Sequence, residues 1–133
     1  MTRLETIAAD GVVLAYLSRS RPLPDKTTFV TPDDCNLQVG QVVYEGGTQI
    51  PRHMHLPVER HLTGTTEVLI VQQGRCEVDI FGADRQLVTT REMHVGDMLI
   101  AVAGGHGFRV LEDTVLLEVK QGPYPGGAEK ERF

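Results

Sequence analysis

Short apolar stretches, separated by turn residues, make up most of the chain from residue 27 onward. They are rich in Val, Ile, Leu and Thr, and Gly pairs, Gly-Asp and Pro interrupt them, as is typical of strands joined by turns. The pattern predicts an all-β chain with strands at Thr27 to Thr31, Gln38 to Tyr44, Gln49 to His55, Thr66 to Gln73, Arg75 to Phe81, Leu87 to Met93, Met98 to Val102, Gly107 to Leu111 and Val115 to Lys120. Nine short strands favour a sandwich or barrel.

The two ends of the chain have weaker patterns. Residues 11–17 could form a strand, whereas residues 19–26, with Pro22 and Pro24, are typical of a connector. The tail from Gly122 to Gly127 is rich in Pro and Gly, so we expect a cap or a loose end there. We therefore predict one domain over residues 1–133, with a core at about 38–120, an N-terminal extension at 1–26 and a C-terminal tail at 121–133.

Two glycines mark predicted tight turns. Gln73-Gly74 separates two apolar runs and predicts a hairpin in which Gly74 has a positive φ. Gly96-Asp97 predicts a second turn of the same kind.

Composition and charge narrow the function classes. The chain has 133 residues, of which 41% are hydrophobic and 23% charged, as in one folded domain. A net charge of -5, with 5% aromatic residues and no Trp, argues against a nucleic-acid partner. No apolar run approaches the roughly 18 to 20 residues needed to span a membrane. The N-terminus lacks the apolar run of a secretory signal, and Cys35 and Cys76 lie far apart, so we expect a cytoplasmic protein.

Three histidines and one glutamate are candidate metal ligands. On an extended strand, His53 and His55 project from the same face, about 6.5 to 7 Å apart. Glu67 shares a strand face with Leu69 and Val71, so it either lies at a solvent-facing mouth, is protonated, or faces a cation. His106 follows Gly104-Gly105 at the entrance of a strand.

These residues resemble the first motif of the cupin superfamily, G-x5-H-x-H-x3-4-E-x6-G. Its fixed residues correspond to Gly47, His53, His55, Glu67 and Gly74. Eleven residues separate His55 from Glu67 where the family has three or four, which implies an inserted loop around residues 56–65. Glu59 fits the spacing from His55, whereas Glu67 fits the spacing to Gly74 and begins a strand. We favour Glu67, because a strand holds a ligand more rigidly than a loop that contains proline.

The second cupin motif, G-x5-P-x-G-x2-H-x3-N, matches less closely. Gly96, Gly104 and His106 correspond to its Gly, Gly and His, but Val102 takes the Pro position, His106 comes one residue early and Val110 replaces the Asn. The resemblance covers about residues 38–120. It implies a small double-sheet β-barrel, or jelly roll, with a metal ion held inside by His53, His55, Glu67 and His106.

Imidazole and carboxylate ligands suit a divalent transition metal, namely Mn, Fe, Co, Ni, Cu or Zn, and do not choose among them. Four protein ligands leave one or two coordination positions for water, substrate oxygen or dioxygen. Arg52, Arg60 and Arg109 flank the candidate ligands and could bind a carboxylate or phosphate, or could be plain surface charge. Glu59 and Arg60 could form a lid over the opening, or could be solvated. His61, on the same loop, could contact a ligand or be a plain surface residue.

These features predict a metal-dependent enzyme that acts on a polar small molecule, and the nearby arginines favour an anionic one. Isomerisation or epimerisation of a sugar or keto acid, and oxygen-dependent cleavage, are both compatible, and no catalytic residue is assigned. The alternatives are a non-catalytic binding or sensor module and a metal that only stabilises the fold. Cupins often pair through edge strands, so the resemblance implies a homodimer.

Overall fold

Ten short strands and one 3-10 helix make up the computed structural model, which describes residues 3–133. Strand accounts for 42% of it and helix for 3%, so the all-β prediction is confirmed. The elements are β1 (Leu4–Ala9), β2 (Val12–Ser18), β3 (Thr28–Phe29), β4 (Gly40–Gln41), β5 (Glu67–Gln73), β6 (Arg75–Phe81), β7 (Leu87–His94), β8 (Met98–Ala101), β9 (Gly105–Val110), β10 (Val115–Lys120) and the helix η1 (Gly126–Glu129). Within residues 3–133, no helix is long and apolar enough to cross a membrane.

The strands form three antiparallel sheets. A five-stranded sheet has the order β1-β2-β8-β5-β10, a three-stranded sheet has the order β7-β6-β9, and β3 pairs with β4. None of the three closes on itself, so the structure of the single chain is an open sandwich of sheets. The edge strands are therefore β1 and β10 in the five-stranded sheet, and β7 and β9 in the three-stranded sheet.

The main core lies between the five-stranded and three-stranded sheets. Along β6, alternate side chains are buried, and Cys76, Val78 and Ile80 pack against inward residues of the opposite sheet such as Leu69 and Val71. Each such side chain contributes about 1.5 to 3 kcal/mol when it is removed from water. A second cluster, with Val68 and Ile100 among its members, covers the other face of the five-stranded sheet. Burial on both faces explains the continuous apolar run at the start of β5.

The N-terminal region, where the sequence left the structure open, belongs to the five-stranded sheet. β1 and β2 form a hairpin, and β2 also pairs with β8. Asp10 and Gly11 both have positive φ at the turn, as expected for a two-residue hairpin loop whose twist matches that of its strands.

The predicted tight hairpin at Gly74 is wrong, although its predicted positive φ is confirmed at 82°. β5 and β6 lie in different sheets, so Gly74 turns the chain from one sheet into the other. Gly96, with a φ of 89°, likewise joins β7 of the three-stranded sheet to β8 of the five-stranded sheet. The apolar pattern on either side of a turn is the same in both cases, so it cannot distinguish a hairpin from a corner.

Residues 42–64, which we call the arm, contain no strand. Every residue of the arm is exposed, so the predicted strand from Gln49 to His55 is wrong, and the one predicted from Gln38 to Tyr44 shortens to Gly40–Gln41. The sequence does alternate there, but an extended segment becomes a strand only where a neighbouring strand accepts its hydrogen bonds.

Candidate metal and ligand site

Glu67 and His106 face each other across the space between the two larger sheets. Glu67 begins β5 and lies two residues before Leu69, which is part of the core, so both side chains point inward. His106 lies on β9 opposite Ile80, which is also buried in the core. The Glu67 Oε2 and His106 Nε2 atoms are 3.3 Å apart.

The surroundings of this pair are partly shielded from water. The Glu67 side chain is 11% exposed and that of His106 27% exposed. An unpaired carboxylate at this depth would cost several kcal/mol, and contact with the imidazole offsets that cost. The structure therefore provides a partner for Glu67 at the site where its position on an apolar strand face required one.

The pair lines a cavity of about 1350 Å³ whose walls include residues of β9 and β10. Its walls combine apolar residues such as Phe108 and Leu116 with the carboxylates of Glu67 and Glu118. Mostly apolar walls with a few polar groups are typical of small-molecule sites, and closed sites of this kind are smaller, at about 300 to 1000 Å³.

The C-terminal tail covers one part of the cavity rim. The Phe133 ring packs edge-on against Phe81, with ring centroids 5.2 Å apart, and the Arg85 guanidinium lies 5.4 Å from the centre of the Phe133 ring. Lys120 Nζ donates a hydrogen bond of 2.7 Å to Glu129 Oε1. This bond lowers the pKa of Glu129 and raises that of Lys120. The sequence left open whether the tail is a cap or a loose end, and in the structure it caps part of the cavity rim.

His53 and His55 form a second pair, on the arm. Their ring centroids are 5.3 Å apart, and His53 Nδ1 lies 3.0 Å from the Pro51 carbonyl oxygen. Both rings are exposed to solvent, and neither lines the cavity. Within residues 3–133, no three His, Cys, Asp or Glu side chains are placed to hold one metal ion. The structure thus arranges the four predicted ligands as two separate pairs.

The other residues that the sequence singled out on the arm are all exposed. Glu59, Arg60 and His61 lie outside the cavity lining, as does Arg52. Of the two candidate carboxylates, Glu67 contacts His106, and Glu59 remains on the arm.

Arg109 lies on the outer face of the three-stranded sheet. On β9 it follows His106 by three residues, and therefore projects from the opposite face of the strand. Its guanidinium pairs with both carboxylate oxygens of Asp79, and Nε lies 3.4 Å from Glu77 Oε1. The hydrogen bond from Arg109 lowers the pKa of Asp79, helped by a second bond from Thr90. Arg109 is therefore already paired with carboxylates of its own chain.

Several cavity residues were not predicted from the sequence, Glu118 and Phe108 among them. Glu118 alternates with Leu116 along β10, which is the signal that places both on one face, and Phe108 alternates with His106 along β9. By contrast, Cys76 is fully buried in the core, and burial raises the pKa of its thiol. Cys76 is therefore a packing residue, because a nucleophilic cysteine needs a lowered pKa.

Comparison with known proteins identifies no relative of this chain. No protein-family model matches it, no curated protein matches it, and no solved structure matches it.

Proposed function

We propose that the protein is a cupin-like metalloprotein that binds a polar small molecule in the cavity between its two larger sheets. The contact between Glu67 and His106 is the observation that carries the proposal. It places one carboxylate and one imidazole at the wall of an open cavity, on strands of two different sheets.

The residues of one chain fit half of the proposed metal site. Glu67 and His106 provide a carboxylate and an imidazole, a ligand set that suits Mn, Fe, Co, Ni, Cu or Zn. His53 and His55 carry the other two ligands on the arm, outside the cavity. A bound divalent ion would act as a Lewis acid toward a substrate oxygen.

The chain's own residues would perform the remaining tasks of such a site. Phe108 and Leu116 exclude water from one side of the cavity, and Glu118 provides a second carboxylate on the wall. A carboxylate next to a polar ligand can accept a proton or orient a hydroxyl group. These features support a polar ligand and an enzyme, either an isomerase or epimerase or an oxygenase. The two separated cysteines support a cytoplasmic location.

Metal titration of the purified protein tests the proposal. Isothermal calorimetry with each of the six divalent ions, on the wild type and on Glu67→Gln and His106→Ala, should show one ion that binds, and each substitution should weaken its binding at least about tenfold. Glu92 and His94 provide a matched control, because they form an exposed contact of 3.5 Å on β7, away from the cavity. Glu92→Gln and His94→Ala should leave metal binding unchanged.

The outcome that would overturn the proposal is equal metal binding by all five proteins, or none by the wild type. Once the ion is known, screens for sugar isomerisation and for oxygen uptake follow with the loaded protein. Turnover that Glu67→Gln abolishes supports an enzyme, whereas ligand binding without turnover supports the non-catalytic binding module.

A further inference from the structure

The arm is exposed along its whole length and makes few polar contacts with the rest of the described chain. All of residues 42–64 are exposed, including Met54 at 85% and Leu56 at 76%. Among the described residues, no hydrogen bond or ion pair joins residues 44–62 to the rest of the chain. Several exposed large apolar side chains on one segment are typical of an interaction site in a folded protein.

Both ends of the arm are attached to the body. The Val43 backbone N–H donates to Thr27 Oγ1 at 3.0 Å, and Asn36 Nδ2 donates to the Thr63 carbonyl oxygen at 2.9 Å. The residues between these two contacts therefore form a loop that leaves the body and returns to it. The nineteen residues 44–62 would span about 60 Å if they were fully extended. This length is enough to reach a neighbouring molecule.

The body has open positions where an extended segment could bind. In the described sheets β10 and β9 are edge strands with one unpaired side each, and both contribute residues to the cavity that holds Glu67 and His106. The exposed side chains of β10 are apolar at Val115, Leu117 and Val119. An edge strand with free backbone groups readily accepts another strand.

The two faces of the arm differ in polarity, and this difference indicates which body the arm binds. When residues 50–58 are extended, His53 and His55 lie on one face, while Ile50, Met54, Leu56 and Val58 lie on the other. If the arm folded onto its own body with the histidines inward, the apolar face would remain in water. Exchange between two copies removes this cost, because an arm that lies between two subunits has its histidines toward the partner subunit and its apolar face toward its own chain.

We propose that two copies of the chain exchange their arms, so that His53 and His55 of the partner subunit complete the site formed by Glu67 and His106. This inference rests on the proposed metal function. It explains why one chain holds only two of four ligands together, and why the other two lie on an exposed segment with no hydrogen bond or ion pair to the rest of the described chain. A symmetric exchange also covers the edge of β10 in both copies.

A complementation experiment tests the exchange. The arm variant His53→Ala/His55→Ala and the pocket variant Glu67→Gln/His106→Ala are each expected to lose metal binding, with β content unchanged by circular dichroism. When the two variants are unfolded together, mixed and refolded, half of the dimers should be mixed. Each mixed dimer has one intact site, so about a quarter of the wild-type binding capacity should return.

If the arm binds within its own chain, the mixture recovers nothing, because no chain carries both halves of the site. A wild type that binds metal while the mixture does not would overturn the exchange and leave the metal function standing. A wild type without metal binding would instead overturn the metal function.

The oligomeric state provides a readout that does not depend on metal. Sedimentation equilibrium should show a wild-type dimer, and Met54→Ser/Leu56→Ser should raise its dissociation constant at least about a hundredfold, since each apolar anchor is worth more than about 1 kcal/mol. Leu87→Ser is the control, because Leu87 is also an exposed apolar residue, at 57%, and lies on a strand far from the arm in sequence. A monomeric wild type, or equal weakening by the control, would overturn the exchange.

Discussion

Glu67 Oε2 and His106 Nε2 lie 3.3 Å apart although the two residues belong to different sheets. Packed sheets are about 10 Å apart, so two long side chains must extend toward each other to make this contact. The distance between them is therefore set by the core that separates the sheets.

A double-mutant cycle should detect this contact in the metal-free protein. With Glu67→Gln, His106→Ala and the double variant, we expect a coupling free energy of about 0.5 to 2 kcal/mol in urea unfolding, because both groups are partly shielded from water. The same cycle on Glu92 and His94, an exposed pair at 3.5 Å, should give a smaller coupling. Equal coupling for the two pairs would contradict the described geometry.

Asp97 should be one of the most sensitive polar positions in the chain. It is 3% exposed, and its carboxylate accepts hydrogen bonds from Arg19 Nη1 and from the backbone N–H groups of Ser20 and His94, each at 2.9 Å. Asp97→Ala leaves the two N–H groups without this acceptor and removes the carboxylate beside Arg19, which keeps its bond to the Glu92 carbonyl oxygen. The free energy of unfolding should therefore fall by about 3 to 5 kcal/mol.

Chemical denaturation measures that loss, and Asp84→Ala is its control. Asp84 accepts a hydrogen bond from the Gln86 backbone N–H in an exposed turn. Its removal should lower the free energy of unfolding by about 1 kcal/mol or less. Similar losses for both variants would show that the three donors around Asp97 find other partners.

Gly74 and Gly11 separate two costs of replacing a glycine. Both have positive φ, at 82° and 75°. A Cβ at Gly11 would meet no atom within 4 Å, whereas one at Gly74 would collide with the Asp113 carbonyl oxygen and lie 2.7 Å from Thr114 Oγ1. Gly11→Ala should therefore cost about 1 kcal/mol of strain. Gly74→Ala should cost at least about 1 kcal/mol more, measured by thermal and urea unfolding, and equal costs would argue against the corner at Gly74.

The strands from residue 66 onward could be predicted because alternation is a local property of the sequence. The predicted strands from Thr66 to Lys120 correspond in order to β5 through β10, with ends that differ by a few residues. Glu67 and His106 could be selected as a pair only through the cupin resemblance, since their contact depends on how β5 and β9 are brought together. Sheet membership is a property of distant partners, which is why the turn at Gly74 was misassigned.

In the arm, the sequence pattern predicts a strand that the single chain does not form. Residues 49–55 alternate as a strand should, but in the single chain no neighbouring strand accepts their hydrogen bonds. The position of Arg109 could have been predicted. It follows His106 by three residues on β9, so alternation places the two side chains on opposite faces of the strand.

Stability at low pH should depend on the ion pair between Glu5 and Arg91. Glu5 lies on β1 and Arg91 on β7, so the pair connects the edges of the two larger sheets. Arg91 Nη2 donates to Glu5 Oε2 at 2.7 Å and Nε donates to Oε1 at 3.0 Å. These hydrogen bonds are the main reason why the pKa of Glu5 is lowered in the folded protein.

A lowered pKa in the folded state means that the unfolded chain takes up the proton first as the pH falls. The contribution of Glu5 is therefore complete above its unfolded pKa of about 4.3, and disappears as the pH falls through the lower folded value. Because the pair is about one-third exposed, we expect no more than about 1 kcal/mol at pH 7. Urea unfolding of the wild type and Glu5→Gln from pH 7 to pH 2.5 should show a gap that closes in this window. Arg91→Met should remove the same pH-dependent part, and a gap that persists at pH 2.5 would show that the Glu5 side chain stabilises the fold by packing rather than by its charge.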